Sequence, residues 1–422
     1  MNDASVEFRQ AAAAAAADLS LADGVLPDRD TERVADLVQS LDDHLTRLDA
    51  VDDVELPLAE QVDLEIVRGR VAALRFDLVD VARHRWDPLQ WSPIPALTIL
   101  TEAEFSTVDA RVASAKSRLA QVPEFLTHAR ETLGEMSGMH VAAAMEQLRG
   151  FPGTAAQIAQ LAAEVGCDVG QELDEAGAAV GDHLGWLNQR LAGSQRDPRL
   201  GVRLYSAAMW HHLDEQLTPV DVLAAAEDHL DVVTTQLREC AAEYRGSAVT
   251  ERGVVRAALD DIGRQARPNL HLHSATAQTA GSLDEHPFRR SEVFIAGWAV
   301  YDEQSGQPSQ AIRMQQLHQQ ARVALWAILD ARVHGGDIVE PEAVDLLIRR
   351  GFIDAKAAED AWRRALLTAT VLPTAFVGYR ALASIAADLH VLHPDWSVQQ
   401  VSALMVSQGS PGPRHLRVLL GL

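Results

Sequence analysis

Apolar residues recur at three- and four-residue steps along most of the chain, while two-residue alternation is almost absent. In TERVADLVQSLDDHLTRL, Val34, Leu37, Val38, Leu41, Leu45 and Leu48 form one stripe along a helix. EQVDLEIVRGRVAALRFDLVDVARHRW repeats the pattern. Helix starts carry chemical marks. TEAE from Thr101 to Glu104 reads as a capping box, with Thr and Glu satisfying the free amides of a first turn. TPVD from Thr218 combines a cap, Pro at the first helical position and an acid in the first turn. SVQQ from Ser397 is a further box. The alanine run near the N-terminus reads as helix, since Ala has the highest helix propensity.

The pattern breaks at residues 86–98, 148–154, 194–201 and 265–288. The last break is long, polar and aperiodic, with three histidines, and loops of that length are often functional. Within it NLHLHS alternates briefly, enough for one short strand. An all-α protein is therefore expected, with a division near residue 245 into an N-terminal helical lobe (1–245) and a C-terminal helical lobe (246–422).

Charge narrows the partners. The 60 acidic residues against 37 basic ones give a net charge of −23, which repels phosphate backbones and anionic lipid. Nucleic acid and membrane surfaces are not expected partners. Cys167 and Cys240, far apart, form neither a disulfide framework nor a zinc-ribbon spacing. The N-terminal run lacks a basic start and is interrupted by Glu7 and Arg9, unlike a signal peptide. No stretch reaches the roughly 18 uninterrupted apolar residues of a membrane span. A soluble, cytoplasmic protein is the expectation.

Several residues carry candidate chemistry, each with a structural alternative. His271 and His273, with Asp284, Glu285 and His286 downstream, can bind a transition metal or serve as surface histidines. Asp330 and His334 stand four apart on one helix face, suited to orienting an imidazole for proton transfer or to an ordinary ion pair. Tyr379 and Arg380 interrupt an apolar helix, where Tyr can donate to an oxyanion and Arg can clamp a carboxylate. G-x-S-x-G, P-loop, G-x-G-x-x-G and H-E-x-x-H signatures are all missing.

The order of the C-terminal pieces adds a resemblance. GWAVYDEQ, then Asp330 to His334, then Pro373 to Tyr379, then GSPGPRHLRVLL resemble the bacterial domain-of-unknown-function 885 family of all-helical, metallopeptidase-like proteins. WSPIPALTIL and LTPVDVLAAAEDHL look like its N-terminal half. The resemblance implies a large helical, bundle-like metallopeptidase-type fold with a central cleft and little or no sheet. Family members carry His-Glu-x-x-Pro-Gly-His, whose histidines bind zinc and whose Glu is the base, and then Glu-Gly-Trp-Ala-Leu-Tyr, whose Glu completes the zinc site. Here that last Glu is Ala296, and NLHLHSATAQTAGS, where the first motif belongs, contains no glutamate. A methyl group cannot coordinate a metal. Gly297, Trp298, Tyr301, Glu303, Asp330, His334 and Tyr379 match family positions, and Arg380 replaces the family's Lys.

The leading expectation is a metal-free, cofactor-free descendant whose cleft binds, and may transform, a small peptide-like or amino-acid-derived molecule. His334, oriented by Asp330, would transfer protons, and Tyr379 would donate to an oxyanion. Arg290 or Arg380 would hold a carboxylate, with His271, His273, Trp298 and Tyr301 lining the site. A non-catalytic scaffold protein is the second expectation. A metal held by His271, His273 and Glu285 or His334 is the third.

Overall fold

Local chemistry explains where the helices begin. The Asp30 side chain accepts from the backbone amides of Glu32 and Arg33 and starts a helix over Thr31–Asp49, whose buried residues include Val34, Leu41 and Leu48. Thr218 and Asp221 cap each other reciprocally, as do Ser397 and Gln400. Of TEAE, Ala103 and Glu104 lie outside the described residues, and Thr101 does not act as a cap. Thr101 and Glu102 end a helix, the Thr101 hydroxyl donates to the Thr98 carbonyl, and the next helix is capped by Thr107. The TEAE pattern competes with an apolar run, IPALTIL, that continues through Thr101.

The computed structural model describes residues 3–19, 25–102, 106–213, 217–247, 251–265, 288–303 and 309–422. His271, His273, Glu285 and the expected strand in NLHLHS lie outside them. Helix α1 spans Asp3–Leu19, α2 Thr31–Asp49, α3 Leu58–Phe76, α4 Ile94–Glu102 and α5 Val108–Thr132. Next come α6 Gly138–Leu148, α7 Phe151–Glu164, α8 Gly170–Leu191, α9 Gly201–His212 and α10 Pro219–Arg245. They are followed by α11 Arg252–Gln265, α12 Glu292–Asp302, α13 Gln310–Gly335 and α14 Glu340–Gly351. The chain closes with α15 Ala355–Leu367, α16 Thr374–Leu392, α17 Val398–Ser407 and α18 Pro413–Leu420. The fold is all-α, and among the described residues β-pairing is limited to two isolated bridges.

The chain forms two compact units, one of residues 1–52 and 70–198, the other of 53–69 and 199–422. The break expected near residue 245 thus falls inside the second unit, where α10 packs along α13 and α11.

In the first unit α5 packs on α8, with Trp91, Phe125, Leu126, Val141 and Leu187 in the core. The Trp91 indole N–H donates to the His84 carbonyl at 2.8 Å. His183 is fully buried, stacks on Trp186 at 5.3 Å, and neither ring nitrogen has a hydrogen-bond partner. Burial, then the Arg130 charge, pushes its pKa down to about 4.

In the second unit α12 packs on α16 and α10 on α13. Helix α16 is apolar and long enough, by composition, to cross a membrane, yet Leu382, Ile385, Ala386 and Leu389 bury against Phe294, Trp298, Val401 and Leu416. The start of α12 is fixed by the GSPGP segment and by Arg289. The Ser291 amide donates to the Ser410 carbonyl at 2.7 Å, and the Ser410 amide donates to the Arg289 carbonyl at 2.9 Å. The buried Arg289 guanidinium donates to Asp63 at 2.6 Å and to the Ala59 carbonyl at 3.2 Å. That clamp ties the first turns of α3 to α12.

The α12–α16 contact is a crossing of glycine on glycine. A Cβ on Gly297 would sit 2.5 Å from both Gly378 Cα and Tyr379 N, and one on Gly378 would sit 2.9 Å from Gly297 Cα. The obstructing atoms are backbone, so neither helix can yield by turning a side chain.

Gly378→Ala should therefore destabilise the protein by about 3 kcal/mol or more, the upper end for overpacking. Gly181→Ala, in an exposed helical position with open space around it, should stabilise by about 0.5–1 kcal/mol. Urea denaturation of both variants checks the pair, and equal midpoints would refute the crossing.

His183 gives a pH prediction. Its folded pKa lies below that of the unfolded chain, so only the unfolded state takes up a proton between pH 6.5 and 4. The contribution to stability is complete above pH 6.5 and falls away as pH drops toward 4, on the order of 3 kcal/mol. His183→Phe should lower proton uptake on unfolding at pH 5 by about one proton. Calorimetry in buffers of different ionisation enthalpy measures that uptake, and an unchanged value would refute the assignment.

Candidate functional site

The crossing decides what stands around it. Tyr379 follows Gly378 directly, so its backbone lies against Gly297, one residue past Ala296. Tyr379 is half-buried. His229 of α10 approaches it edge-on, with ring centroids 5.7 Å apart, and lies equally far from Phe376. His229 Nε2 is buried with no hydrogen-bond partner. Burial, then the Arg380 charge, pushes this imidazole down to about 4, so it is neutral at pH 7. Burial raises the Tyr379 phenol, against the opposing charges of Arg380 and Arg313. Arg313, in the first turn of α13, donates to Gln236 of α10 at 3.4 Å. Helices α10 and α16 thus bring a neutral imidazole and a protonated phenol together, with positive charge on Arg380 and Arg313 acting on the phenol.

Asp330 and His334 lie elsewhere on α13. Arg313 and Asp330 are 17 residues apart, which is about 25 Å of helix. Asp330 is fully buried, and its Oδ2 accepts from the Tyr205 hydroxyl at 2.8 Å and the Thr370 amide at 2.9 Å. Burial, then Asp330, raises the Tyr205 pKa. His334 Nδ1 accepts from the Leu200 amide at 3.2 Å, while Nε2 donates to the carbonyls of Ala365 at 3.0 Å and Thr368 at 2.9 Å. This pattern fixes the neutral Nε2–H tautomer. The ring also stacks on Tyr205 at 5.1 Å. The expected pairing, with Asp330 orienting His334 for proton transfer, gives way to two braces: both imidazole nitrogens are taken by helix ends, and neither is left for a proton or a metal.

Two other expectations change. Arg290 is half-exposed and pairs with Glu292 at 3.6 Å, so it holds no carboxylate beside Tyr379; the buried neighbour, Arg289, is the structural clamp. Trp298 and Tyr301 point into the core rather than lining a site. Trp298 is 1% exposed and stacks on Phe294 at 5.5 Å, and Tyr301 packs on Trp298 and bonds to Ser402. Positions 296 and 298 are about 200° apart around a helix, so a tryptophan facing the core leaves Ala296 on the other side.

The described residues beside the crossing do not fit the zinc of metallopeptidases. Ala296 offers no donor atom, and one imidazole, His229, stands near the crossing. Among the described residues one group of three has metal-ligand proximity, Asp28, Asp30 and His128 in the first unit. Its charges are internally matched: His128 Nδ1 meets Asp28 at 2.7 Å, and Arg33 pairs with both acids.

His229, Arg313 and Gly378 were missed in the sequence. His229 had a signal, since it falls on the apolar face of α10 between Val222, Ala226, Val233 and Leu237. Arg313 and Gly378 had none.

An all-α fold with these C-terminal motifs defines a class, and comparison identifies the family. The family model described as "Bacterial protein of unknown function (DUF885)" matches residues 11–277 and 265–420, and the chain belongs to this family. No curated protein matches. Among solved structures, a putative lipoprotein of unknown function from Shewanella oneidensis superposes with a TM-score of 0.78 at 17% identity, covering 98% of this chain and 100% of that one. A putative lipoprotein from Colwellia psychrerythraea gives 0.77 at 11% identity, covering 99% and 98%. At such identities the likeness is one of fold.

Asp330→Ala would strand the buried Tyr205 hydroxyl and Thr370 amide. It should cost about 2–4 kcal/mol of stability. Thermal denaturation checks this, and a melting temperature within about 1 °C of wild type would refute the brace.

Proposed function

We propose that this chain is a metal-independent, repurposed member of its family that binds a small peptide-like or amino-acid-derived molecule beside Tyr379. The observation that carries this reading is the Gly297–Gly378 crossing, which sets the Tyr379 backbone against α12 one residue past the ligand-less Ala296, with the His229 ring 5.7 Å from the phenol ring. Tyr379 donates a hydrogen bond to a ligand carbonyl. Neutral His229 exchanges one with an amide or hydroxyl, and Phe376 supplies an apolar wall. Asp330 and His334 being committed to bracing favours binding over turnover. A cytoplasmic location belongs to the same proposal. The word lipoprotein in the two neighbours' descriptions points to the cell envelope, and fractionation of source cells separates the two locations.

Titration of a panel of N-acetyl dipeptides into chelator-treated protein tests the reading. Binding should survive chelation, and Tyr379→Phe should weaken it about tenfold at unchanged melting temperature. Binding lost with the metal, or indifferent to Tyr379, would overturn the proposal.

A further inference from the structure

We infer that residues 25–30 form a strap over α5 whose grip is set by the protonation of His128, tight while the imidazole is charged and loose when it is neutral. The strap lies in the first unit and is independent of the Tyr379 reading.

The segment VLPDRD runs ahead of α2 without helix or strand of its own. Leu26 anchors it. Its side chain is 1% exposed in the same core cluster as Phe125, and its amide donates to Gln121 Oε1 of α5 at 3.0 Å. Arg29 donates to Gln90 at 3.3 Å. Neither bond involves a group that titrates near neutrality. Between strap and α5 lies a cavity of about 450 Å³, lined by Leu26, Pro27 and Asp28 on one side and Gln121, Glu124 and Phe125 on the other. Close-packed interiors leave few voids larger than a water molecule. The strap after Leu26 is therefore held less by packing than by its polar contacts.

The contact that titrates is at Asp28. His128 Nδ1 meets Asp28 Oδ2 at 2.7 Å and lies 3.9 Å from Asp30 Oδ2. Its Nε2 is 3.8 Å from Glu124 Oε1, one turn earlier on α5. Arg33 of α2 pairs with Asp28 at 2.5 Å and with Asp30 at 3.3 Å. Two strap carboxylates thus face two cations, and the match holds only while His128 keeps its proton. The hydrogen bond to Asp28 raises the imidazole above its usual 6.5; burial opposes this, and the charges of Asp28, Asp30 and Glu124 add to it. The clamp's contribution is therefore complete below pH 6.5 and is lost as pH rises through the higher folded value. Beyond that point a charge-assisted bond becomes a neutral one, roughly half as strong. Asp28 and Asp30 are then left to share a single guanidinium, and the strap opens from the cavity more often.

Hydrogen exchange of the full chain, read by mass spectrometry from about pH 6 to 9 and corrected for the intrinsic rate, tests the strap. Protection of residues 27–33 should fall about five- to tenfold over that range, while that of α8 stays constant. His128→Gln should show weak protection at every pH, and His128→Arg, which cannot lose its charge, strong protection throughout. A flat wild-type profile, a fall that persists in His128→Gln, or an equal fall in α8 would each overturn the inference. The wild-type profile decides by itself should either variant fail to fold.

Discussion

The backbone contact between Gly297 and Gly378 is the constraint on which the second unit's site depends. Two helices approach this closely only where neither carries a Cβ, and on both sides the atoms in contact are peptide groups. The contact fixes the separation and the rotation of α12 and α16 together. Rotation puts Trp298 and Phe294 into the core and leaves Ala296 on the opposite side. It also sets Tyr379 against α12 where His229 can reach its ring. The ends of the contact are held independently: the Arg289–Asp63 pair and the Ser410 bridge fix where α12 begins. The closing GSPGP motif therefore acts through hydrogen bonds between the Ser410 backbone and hydroxyl and the Arg289–Ser291 backbone.

The same principle explains the buried polar residues of α13. Helices leave unpaired amides at their starts and unpaired carbonyls at their ends. His334 serves both at once, accepting from the Leu200 amide ahead of α9 and donating to the last carbonyls of α15. Asp330 holds the Thr370 amide at a residue whose φ of 65° is left-handed and unfavourable for threonine. Groups buried this deeply are costly without partners. Here they are spent on joining three chain segments, and a spacing that suits acid–base catalysis serves assembly.

Much of the fold was legible because helix formation is largely local. The apolar stripes, the caps at Thr218 and Ser397 and the helical reading of the alanine run follow from neighbours within a few residues. TEAE failed for a local reason as well, since a cap competes with whatever helix already runs through it. The family was legible from motif order, because order survives where identity does not. Roles were less legible. Whether Asp330 meets His334 or Tyr205 depends on α9, more than a hundred residues away. Gly378 looks ordinary until Gly297 is seen beneath it. Arg290 and Arg289 are indistinguishable in sequence, and only burial separates the clamp from the surface residue.

The charges beside the crossing differ from those a zinc site needs. A zinc site concentrates carboxylates and neutral imidazoles around a cation, and the sequence resemblance implies one such carboxylate on α12. Here that carboxylate is a methyl group, and the stretch expected to carry the base has no glutamate. The positive side chain after Tyr379 persists as Arg380, and Arg313 adds a second charge. Both charges acting on the phenol are therefore positive, which disfavours a cation beside Tyr379.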